Sequence, residues 1–322
     1  MTPKATPLCL LRILEEYTDS SHILSRRELE ELLCSVYDIK PDRRTVYSTV
    51  DLLNHLGYDI SDYKQNGKGY YLRERVLDPT EVHLLSDAVC ALPFISEDQT
   101  KRLIDKLQKL VSTHERRHIR NLSIDRSGCK TVNKTVFFNI EMLDEAIEKR
   151  VQVTFDYCSY GPDKQLHSRR DRPYTVSPYR LVYNNEHYYL ICLTEGKTNP
   201  GMYRLDRIRN IALTDQPRED PSPDFSAESL VHDAVYAFVG EAQPVTLRID
   251  RGVLGDVIDK FGTDIIVGEE SDGDKLLVTL HVSVKGLRYW AMQYLEHVEV
   301  LTPASLREEI TETLKHNPYT AE

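Results

Sequence analysis

Apolar residues recur at helical spacing three times in the N-terminal part of the chain. They predict helices over residues 7–17, 25–37 and 41–57. Ser25 and Glu28 have the spacing of a capping box at the start of the second helix. Beyond the third helix, two short stretches with strand character flank an Asn-Gly pair, which predicts a β-hairpin with a tight turn.

This order of elements is that of a winged helix-turn-helix, which we predict for residues 1–76. It resembles the winged helix-turn-helix at the front of many bacterial regulators, on the segments RRELEELL, DRRTVYSTVDLLNHLGYDI and GKGYYL. The resemblance implies that the third helix binds duplex DNA. Arginine can grip guanine edges in the major groove, and hydroxyl groups can fix phosphates or bases. The candidate DNA-binding residues are Arg26, Arg43, Arg44, Thr45, Tyr47, Ser48, Lys64 and Lys68.

Residues 77–134 are predicted to form a helical bridge and a basic linker. The bridge consists of helices over 79–92 and 96–119. Two helices between a DNA-binding head and the rest of the chain suit a dimer contact, and they suit packing within one chain equally well. The linker after them carries more Lys and Arg than acidic residues, which fits either a solvated connector or a segment close to nucleic acid.

The pentapeptide HERRH, His114 to His118, matches the H-E-x-x-H spacing that holds zinc in metallopeptidases. A catalytic zinc needs a third protein ligand, but Asn121 and Ile124 stand where the extended motif has glycine and histidine. Two arginines inside the motif would also lie close to the metal. We therefore interpret HERRH as the basic end of a helix and keep a zinc metallopeptidase as the less favoured alternative.

Between residues 135 and 217 the pattern changes to short β-strands behind one helix. A helix is predicted over 140–149 and a strand over 151–158. The strands that follow are rich in Tyr, Val and Ile and include a hairpin at Asn184-Asn185. Several short strands that close on themselves predict a small SH3-like (Sm-like) β-barrel.

The segments LDEAIEKRVQVTFDY, TVSPYRLVYNNEHYYLICL and MYRLDRI, within about 138–214, resemble the WYL domain of bacterial transcription regulators. The Trp-Tyr-Leu triplet that names the domain stands here as Tyr188, Tyr189 and Leu190, so that tyrosine replaces tryptophan. The resemblance implies that this domain senses an effector, a nucleic acid or a nucleotide-like molecule, and that it has no catalytic activity.

The residues of this domain suit such a role, because guanidinium groups and aromatic faces bind phosphates and stacked bases. Strand alternation places Tyr188 and Tyr189 on opposite faces, so one of them belongs to the core. Arg204 shares a side with Asp206, which favours an ion pair between them. The candidate effector-binding residues are Tyr157, Arg180, His187, Tyr188, Tyr189, Arg204 and Arg207.

Residues 218–322 begin with an acidic, proline-rich connector and continue in the order β-α-β-β-α-β-α. This order predicts a ferredoxin-like domain. It resembles the C-terminal extension that often follows a WYL domain. Such an extension can form a dimer contact or help to enclose the effector, and the sequence leaves both roles open.

The net charge, the spacing of the cysteines and the length of the apolar runs indicate which classes of protein fit this sequence. The formal net charge of -10 argues against a wholly basic nucleic-acid coat, although a local basic face is compatible with it. The six cysteines are far apart and include no C-x-x-C pair, which is typical of reduced thiols in a cytoplasmic protein. The chain has no run of eighteen apolar residues, so no membrane partner is expected.

The sequence thus predicts a multidomain α+β protein that acts as a ligand-responsive, cytoplasmic transcription regulator in a bacterium. Its expected partners are a double-stranded DNA operator, a nucleic-acid or nucleotide effector and a second copy of the chain in a homodimer. We expect it not to be an enzyme and predict no catalytic residue, metal ligand or cofactor. A single-stranded nucleic-acid-binding module without a transcriptional role is the other alternative.

Overall fold

The computed structural model of the protein describes residues 3–116, 130–223, 225–227, 242–270 and 273–319. It divides the chain into two compact units, Met1–Lys134 and Thr135–Glu322. Both contain helices and β-strands, as the sequence predicts for a mixed α+β protein. The finer division at residues 76 and 217 stays a prediction.

The first unit opens with helices α1 (Thr6–Tyr17), α2 (Arg26–Tyr37) and α3 (Arg43–His55). Their apolar stripes meet in one core, which includes Leu10, Ile13, Leu14, Leu29, Leu33, Val46, Val50 and Leu53. The capping box of α2 is confirmed. The amide of Glu28 donates to Ser25 Oγ at 3.4 Å, and the amide of Ser25 donates to Glu28 Oε2 at 2.7 Å.

Helix α3 begins at Arg43, two residues later than the predicted start at Pro41. The reason is local, since the side chain of Asp42 accepts a hydrogen bond from the amide of Thr45 at 2.7 Å. This satisfies one of the first free N–H groups of the helix, the role of an N-cap residue. The pKa of Asp42 is lowered because its carboxylate accepts from that amide.

The ribbon after α3 differs from the prediction. Its strands β1 (Ile60–Ser61) and β2 (Tyr71–Leu72) are antiparallel, but a one-turn helix α4 (Tyr63–Asn66) lies between them in place of an Asn-Gly hairpin turn. Asp62 and Gln65 form a capping box that starts this helical turn. Gly67, with φ of 69°, ends it in the left-handed conformation that glycine tolerates best.

The bridge consists of α5 (Pro79–Ala91) and α6 (Glu97–Gln108). The prediction that the second bridge helix continues to residue 119 is wrong, because α6 ends at Gln108. Ser112 and Glu115 form a reciprocal pair of hydrogen bonds: the amide of Glu115 donates to Ser112 Oγ at 3.2 Å, and the amide of Ser112 donates to Glu115 Oε2 at 3.0 Å. This reciprocal pair has the pattern of a capping box and lies beyond the last residue of α6.

The bridge is joined to the C-terminal end of α1 through Asp19, whose side chain is 7% exposed. Asp19 accepts hydrogen bonds from Ser112 Oγ at 2.8 Å, from His22 Nδ1 at 2.8 Å and from the amides of Ser21 and His22 at 2.9 Å. Burial opposes the charge of Asp19, but these hydrogen bonds outweigh burial and lower its pKa.

Asp19→Asn is expected to lower the free energy of unfolding at neutral pH by about 1–3 kcal/mol, since an amide replaces one buried acceptor by a donor. The lowered pKa gives a sign for the pH dependence. The stability that the carboxylate contributes is present above its unfolded-state pKa and is lost as pH falls through its folded-state pKa. Urea unfolding at pH 7 and pH 3 should therefore show a smaller difference from the wild type in acid. Asp105→Asn, on an exposed carboxylate of α6, is the control.

The second unit begins with α7 (Val136–Lys149), which packs on a curled six-stranded sheet. The strands are β3 (Val151–Tyr160), β4 (Leu166–Ser168), β5 (Tyr174–Asn184), β6 (His187–Thr194), β7 (Gly201–Arg204) and β8 (Ile208–Pro217). They pair in the order β4-β3-β5-β6-β7, and β8 pairs with β3. Within the strands described, β7 and β8 do not pair with each other, so the sheet is a half-barrel and a closed barrel stays a prediction.

The hairpin between β5 and β6 turns one residue later than predicted. Asn184 pairs with His187, so the turn residues are Asn185 and Glu186. Their φ angles are 47° and 61°. A two-residue turn with positive φ at both positions matches the right-handed twist of the flanking strands, and asparagine tolerates this conformation well.

The described residues from 242 onward form a four-stranded antiparallel sheet with helices packed against it. Its elements are β9 (Ala242–Asp250), α8 (Leu254–Phe261), β10 (Ile266–Glu269), β11 (Lys275–Ser283), α9 (Val284–Gln293), β12 (Val298–Thr302) and α10 (Ala304–Lys315). The strand order is β10-β11-β9-β12. Trp290 is 2% exposed in the core, with its ring 4.9 Å from that of Phe261.

Two further observations bear on the class of protein. No helix within the described ranges is both long enough and apolar enough to cross a membrane. The cysteines that the structure describes form no disulfide with one another: Cys9, Cys34, Cys90, Cys158 and Cys192.

Candidate functional site

Helix α3 presents a cationic and aromatic face to solvent. Val46 and Val50 point into the core, whereas Arg43, Arg44 and Tyr47 are exposed. Arg43 Nε donates to the hydroxyl of Tyr47 at 3.2 Å, and its guanidinium lies 5.3 Å from the centre of that ring. The contact restricts the Arg43 side chain, so less conformational entropy is lost when the guanidinium binds a partner.

The other predicted DNA-binding residues have different surroundings. Thr45 is half-buried and its amide is occupied by Asp42, while Ser48 Oγ donates to the carbonyl of Thr45 at 3.2 Å. Arg26 forms an ion pair with Glu30 on α2. Lys64 on α4 and Lys68 after Gly67 are exposed at the tip of the ribbon. A common surface for all eight residues remains a prediction.

The second candidate site is centred on the buried carboxylate of Asp206, whose side chain is 3% exposed. Arg204 holds it with both arms of its guanidinium, Nε at 3.0 Å from Oδ1 and Nη2 at 2.8 Å from Oδ2. Arg207 Nε lies 3.7 Å from Oδ2. Burial opposes the charge of Arg204, but the hydrogen bonds and charge of Asp206 outweigh it and raise the pKa of Arg204. Two guanidinium groups thus share one carboxylate.

Aromatic rings surround this ion pair. The hydroxyl of Tyr157 accepts from the amide of Arg204 at 3.3 Å. The Tyr157 ring lies edge-on to Tyr203 at 4.8 Å and to Tyr174 at 6.1 Å. Burial raises the pKa of both Tyr157 and Tyr203, so each phenol stays a neutral hydrogen-bonding group.

Arg169, Arg170 and Arg207 each lie over a tyrosine ring of the same domain. Arg169 lies 5.0 Å from the ring centre of Tyr157, and Arg170 lies 3.4 Å from that of Tyr174. Arg207 lies 4.2 Å from the ring centre of Tyr160. Cation–π contacts of this kind hold guanidinium groups in fixed orientations at a partly exposed surface. We name these three arginines and their three tyrosines the Arg-Tyr surface.

Several of these residues are absent from the sequence-based set. They are Tyr160, Arg169, Arg170, Tyr174, Tyr203 and Asp206. The stretch HSRRDRPY offered a signal, because its arginines stand next to an aromatic residue in a polar loop. The long-range pairing of β3 with β5 and β8, together with that of β6 with β7, brings them together, and a local pattern does not encode this pairing.

The remaining predicted effector residues lie on β5 and β6. Tyr189 is 7% exposed and pairs in register with Arg204, and burial raises its pKa. Tyr188 points to the opposite face and is half-buried, and burial raises its pKa too. Arg180 is exposed and pairs in register with Ile191. Tyr157, Arg204 and Arg207 thus meet around Asp206, with Tyr189 beside Arg204, whereas Tyr188 lies on the other face of the sheet.

His187 lies next to this ion pair, and its pKa is lowered by burial and then by the charge of Arg204. As pH falls below its ordinary value of 6.5, the unfolded chain takes up a proton more readily than the folded protein. The stability contributed by neutral His187 is therefore full above that value and is lost as pH falls through the folded-state pKa. We expect His187→Gln to flatten the loss of unfolding free energy between pH 7 and pH 5, whereas His281→Gln, on an exposed residue of β11, should leave the slope unchanged.

The residues of the HERRH motif that the structure describes do not form a zinc site. His114 lies beyond the end of α6, and its ring stacks on that of His22 with the centres 3.6 Å apart and 3° between the planes. His118 lies outside the described residues. Within those residues, no group of three or more His, Cys, Asp or Glu side chains is arranged to hold a metal ion.

Comparison with known proteins gives two domain matches and several similar proteins. The WYL domain matches residues 139–213, and the WCX domain matches residues 241–316. The uncharacterized HTH-type transcriptional regulator YobV of Bacillus subtilis is 20% identical over 308 residues, which cover 91% of this chain and 94% of that protein.

Two solved structures are similar at low identity. Proteasome accessory factor B/C (PafBC) of Arthrobacter aurescens is 18% identical with a TM-score of 0.29, covering 97% of this chain and 46% of that chain. A CRISPR Cas-related protein is 14% identical with a TM-score of 0.41, covering 97% of this chain and 90% of that chain. This chain thus spans about half the length of the PafBC chain.

Proposed function

We propose that this chain, which contains a WYL domain followed by a WCX domain, is a transcriptional regulator that binds duplex DNA through its N-terminal head and an anionic effector through its WYL domain. The observation that carries the proposal is the exposed face of α3, where Arg43 donates a hydrogen bond to Tyr47, while Val46, Val50 and Leu53 on the other side of the helix pack into the core. The similarity to an HTH-type regulator supports the same reading of the head.

In this proposal the head is a winged helix-turn-helix, with α3 in the major groove and the ribbon tip as the wing. Arg43 and Arg44 contact base edges, and Lys64 and Lys68 contact the phosphate backbone. The half-barrel belongs to an SH3-like barrel. The strand order β10-β11-β9-β12, with a helix between β9 and β10 and another between β11 and β12, supports a ferredoxin-like C-terminal domain.

The effector in this proposal is a nucleic acid or a nucleotide. Its phosphates compete with Asp206 for Arg204 and Arg207, since guanidinium groups form bidentate contacts with phosphate as they do with carboxylate. The guanidinium and aromatic planes of the Arg-Tyr surface stack on the bases of the effector. The protein acts in the cytoplasm as a homodimer that reads two half-sites about one helical turn apart.

The proposal is tested first with duplex DNA selected from a random pool and with a labelled oligothymidylate. Arg207→Ala is expected to weaken oligothymidylate binding about tenfold and to leave duplex affinity in the absence of the oligonucleotide unchanged. Arg207 is a cleaner target than Arg204, because removing Arg204 would leave the buried Asp206 carboxylate without its bidentate partner. Lys197→Ala, an exposed cation between β6 and β7, is the matched control.

The same measurements distinguish the proposed regulator from a single-stranded nucleic-acid-binding module without a transcriptional role. Such a module would bind oligothymidylate but select no duplex, and Arg43→Ala would then leave every affinity unchanged. If Arg207→Ala does not change the affinity for oligothymidylate, effector binding by the WYL domain is contradicted. DNA binding by the head is not affected by that result.

A further inference from the structure

Helix α7 carries one polar residue in the middle of its buried stripe. The stripe consists of Val136, Asn139, Leu143 and Ala146, at the spacing of one helix face. Asn139 is 1% exposed. Burying an amide costs free energy unless it is hydrogen-bonded, so its partners explain why this position is not leucine.

The partners of Asn139 lie on the turn that carries the ion pair. Its Nδ2 donates to the carbonyl of Ile208 at 2.9 Å and to that of Leu205 at 3.3 Å. These two carbonyls belong to the first residue of the 3₁₀ helix Leu205–Arg207 and to the residue directly after it. Leu205 and Ile208 are also fully buried. One amide group of α7 therefore fixes the turn from which Asp206 and Arg207 project.

The side-chain amide of Asn139 can form both hydrogen bonds only while the turn stays in its observed position. Asn139 Oδ1 has no hydrogen-bond partner among the described residues, so the side chain is retained for its donor group alone. A shift of the turn away from α7 would leave that donor unpaired in an apolar core. The surrounding residues supply a rigid contact, because α7 packs on the 3₁₀ helix as well as on β3, β5 and β8.

We infer that Asn139 is a positioning residue that couples the Arg204–Asp206–Arg207 turn to helix α7. An anion that draws Arg204 and Arg207 away from Asp206 changes the forces on the turn, and Asn139 transfers that change to α7. This helix is the first element of the second unit and directly follows the end of the first unit at Lys134. The inference rests on the proposed function only in naming an anionic effector as the trigger.

The coupling is tested without any effector by a double-mutant cycle. Asp206→Asn weakens the ion pair as a bound anion would, and Asn139→Leu removes the donor while keeping the number of side-chain heavy atoms. Hydrogen exchange is measured on the amides of α7 relative to those of α9, so that a change in global stability, which affects both helices, cancels. Asp206→Asn should speed exchange of α7 amides about tenfold in the wild-type background and less than about twofold in the Asn139→Leu background.

Two controls separate positioning from a purely structural role. Leu143→Ala removes a buried side chain on the same stripe and should leave the effect of Asp206→Asn at full size. Asn139→Ser, which keeps one donor, should restore part of the coupling, and Asn139→Ala, which also lacks the donor, serves in place of Asn139→Leu if the latter does not fold. Equal effects of Asp206→Asn in both backgrounds, or no effect on α7 in either, would overturn the inference.

The functional readout is the factor by which oligothymidylate changes affinity for the selected duplex. In Asn139→Leu this factor should fall close to one, while each separate affinity stays within about threefold of the wild type. An unchanged factor would contradict the inference. A wild-type protein that binds neither nucleic acid would instead contradict the proposed function, and the exchange cycle would still decide the role of Asn139.

Discussion

Replacing Asp206 with alanine is expected to lower the free energy of unfolding of the protein by about 3–5 kcal/mol, the usual loss when one partner of a buried ion pair is removed. The carboxylate is almost fully buried and receives the guanidinium of Arg204 in a bidentate geometry. Without it, a largely buried cation has no counter-charge, and Arg207 loses a neighbouring charge at 3.7 Å. Calorimetric or urea unfolding measures the loss.

The matched control for this experiment is Asp215→Ala, on an exposed carboxylate of the same domain in β8. It should change the free energy of unfolding by less than about 0.5 kcal/mol, as surface substitutions usually do. A second control, Arg204→Met with Asp206→Leu, removes both charges and should recover part of the stability. If Asp206→Ala costs no more than Asp215→Ala, the ion pair does not organise this part of the domain.

Arg43→Ala is expected to weaken binding of the selected duplex by about 1–3 kcal/mol, roughly 5- to 150-fold, if Arg43 makes a bidentate base contact. The residue stands in the first turn of α3, is exposed and is oriented by the Tyr47 hydroxyl. Tyr47→Phe should cause a smaller loss, because it removes the hydrogen bond that holds Arg43 and keeps the ring beneath the guanidinium.

The control for charge alone is Arg102→Ala, an exposed arginine on α6 outside the head. It removes the same charge but should leave duplex affinity within about twofold of the wild type at physiological salt. Arg44→Ala distinguishes base from phosphate contacts. A phosphate contact weakens binding to all sequences about equally and reduces the salt slope by about one, whereas a base contact relaxes selection at one position. Equal losses for Arg43→Ala and Arg102→Ala would remove α3 from the DNA interface.

Several features of this protein follow from residues that are close together in the sequence. The capping box of Ser25 and Glu28 and the buried stripes of α1 to α3 follow from residues within one or two helical turns of each other. The ion pair of Arg204 with Asp206 is also local, since the two residues are two positions apart. Such features depend on short-range sterics and hydrogen bonds, so their positions can be predicted from spacing alone.

The errors of prediction arose where two local tendencies compete. The Asn-Gly pair favours a hairpin turn, but the capping box of Asp62 and Gln65 forms a helical turn first. Continuous apolar spacing predicts that the second bridge helix continues to residue 119. In the structure this helix ends at Gln108, and Ser112 and Glu115 form reciprocal hydrogen bonds beyond it. Side-chain hydrogen bonds to the backbone decide both cases, because they satisfy N–H groups that the competing structure would leave free.

The sequence by itself therefore determined the helical head, the strand-rich domain that follows it in the chain, the exposed arginines of α3 and the Arg204–Asp206 pair. Only the tertiary structure brought Tyr157, Tyr174 and Tyr203 together and placed the Asn139 amide on the turn that carries Asp206. These contacts join residues that lie 17 to 69 positions apart in the chain. Their formation depends on strand order and register, which are set by burial of the apolar face of the sheet as a whole and not by the neighbours of any one residue.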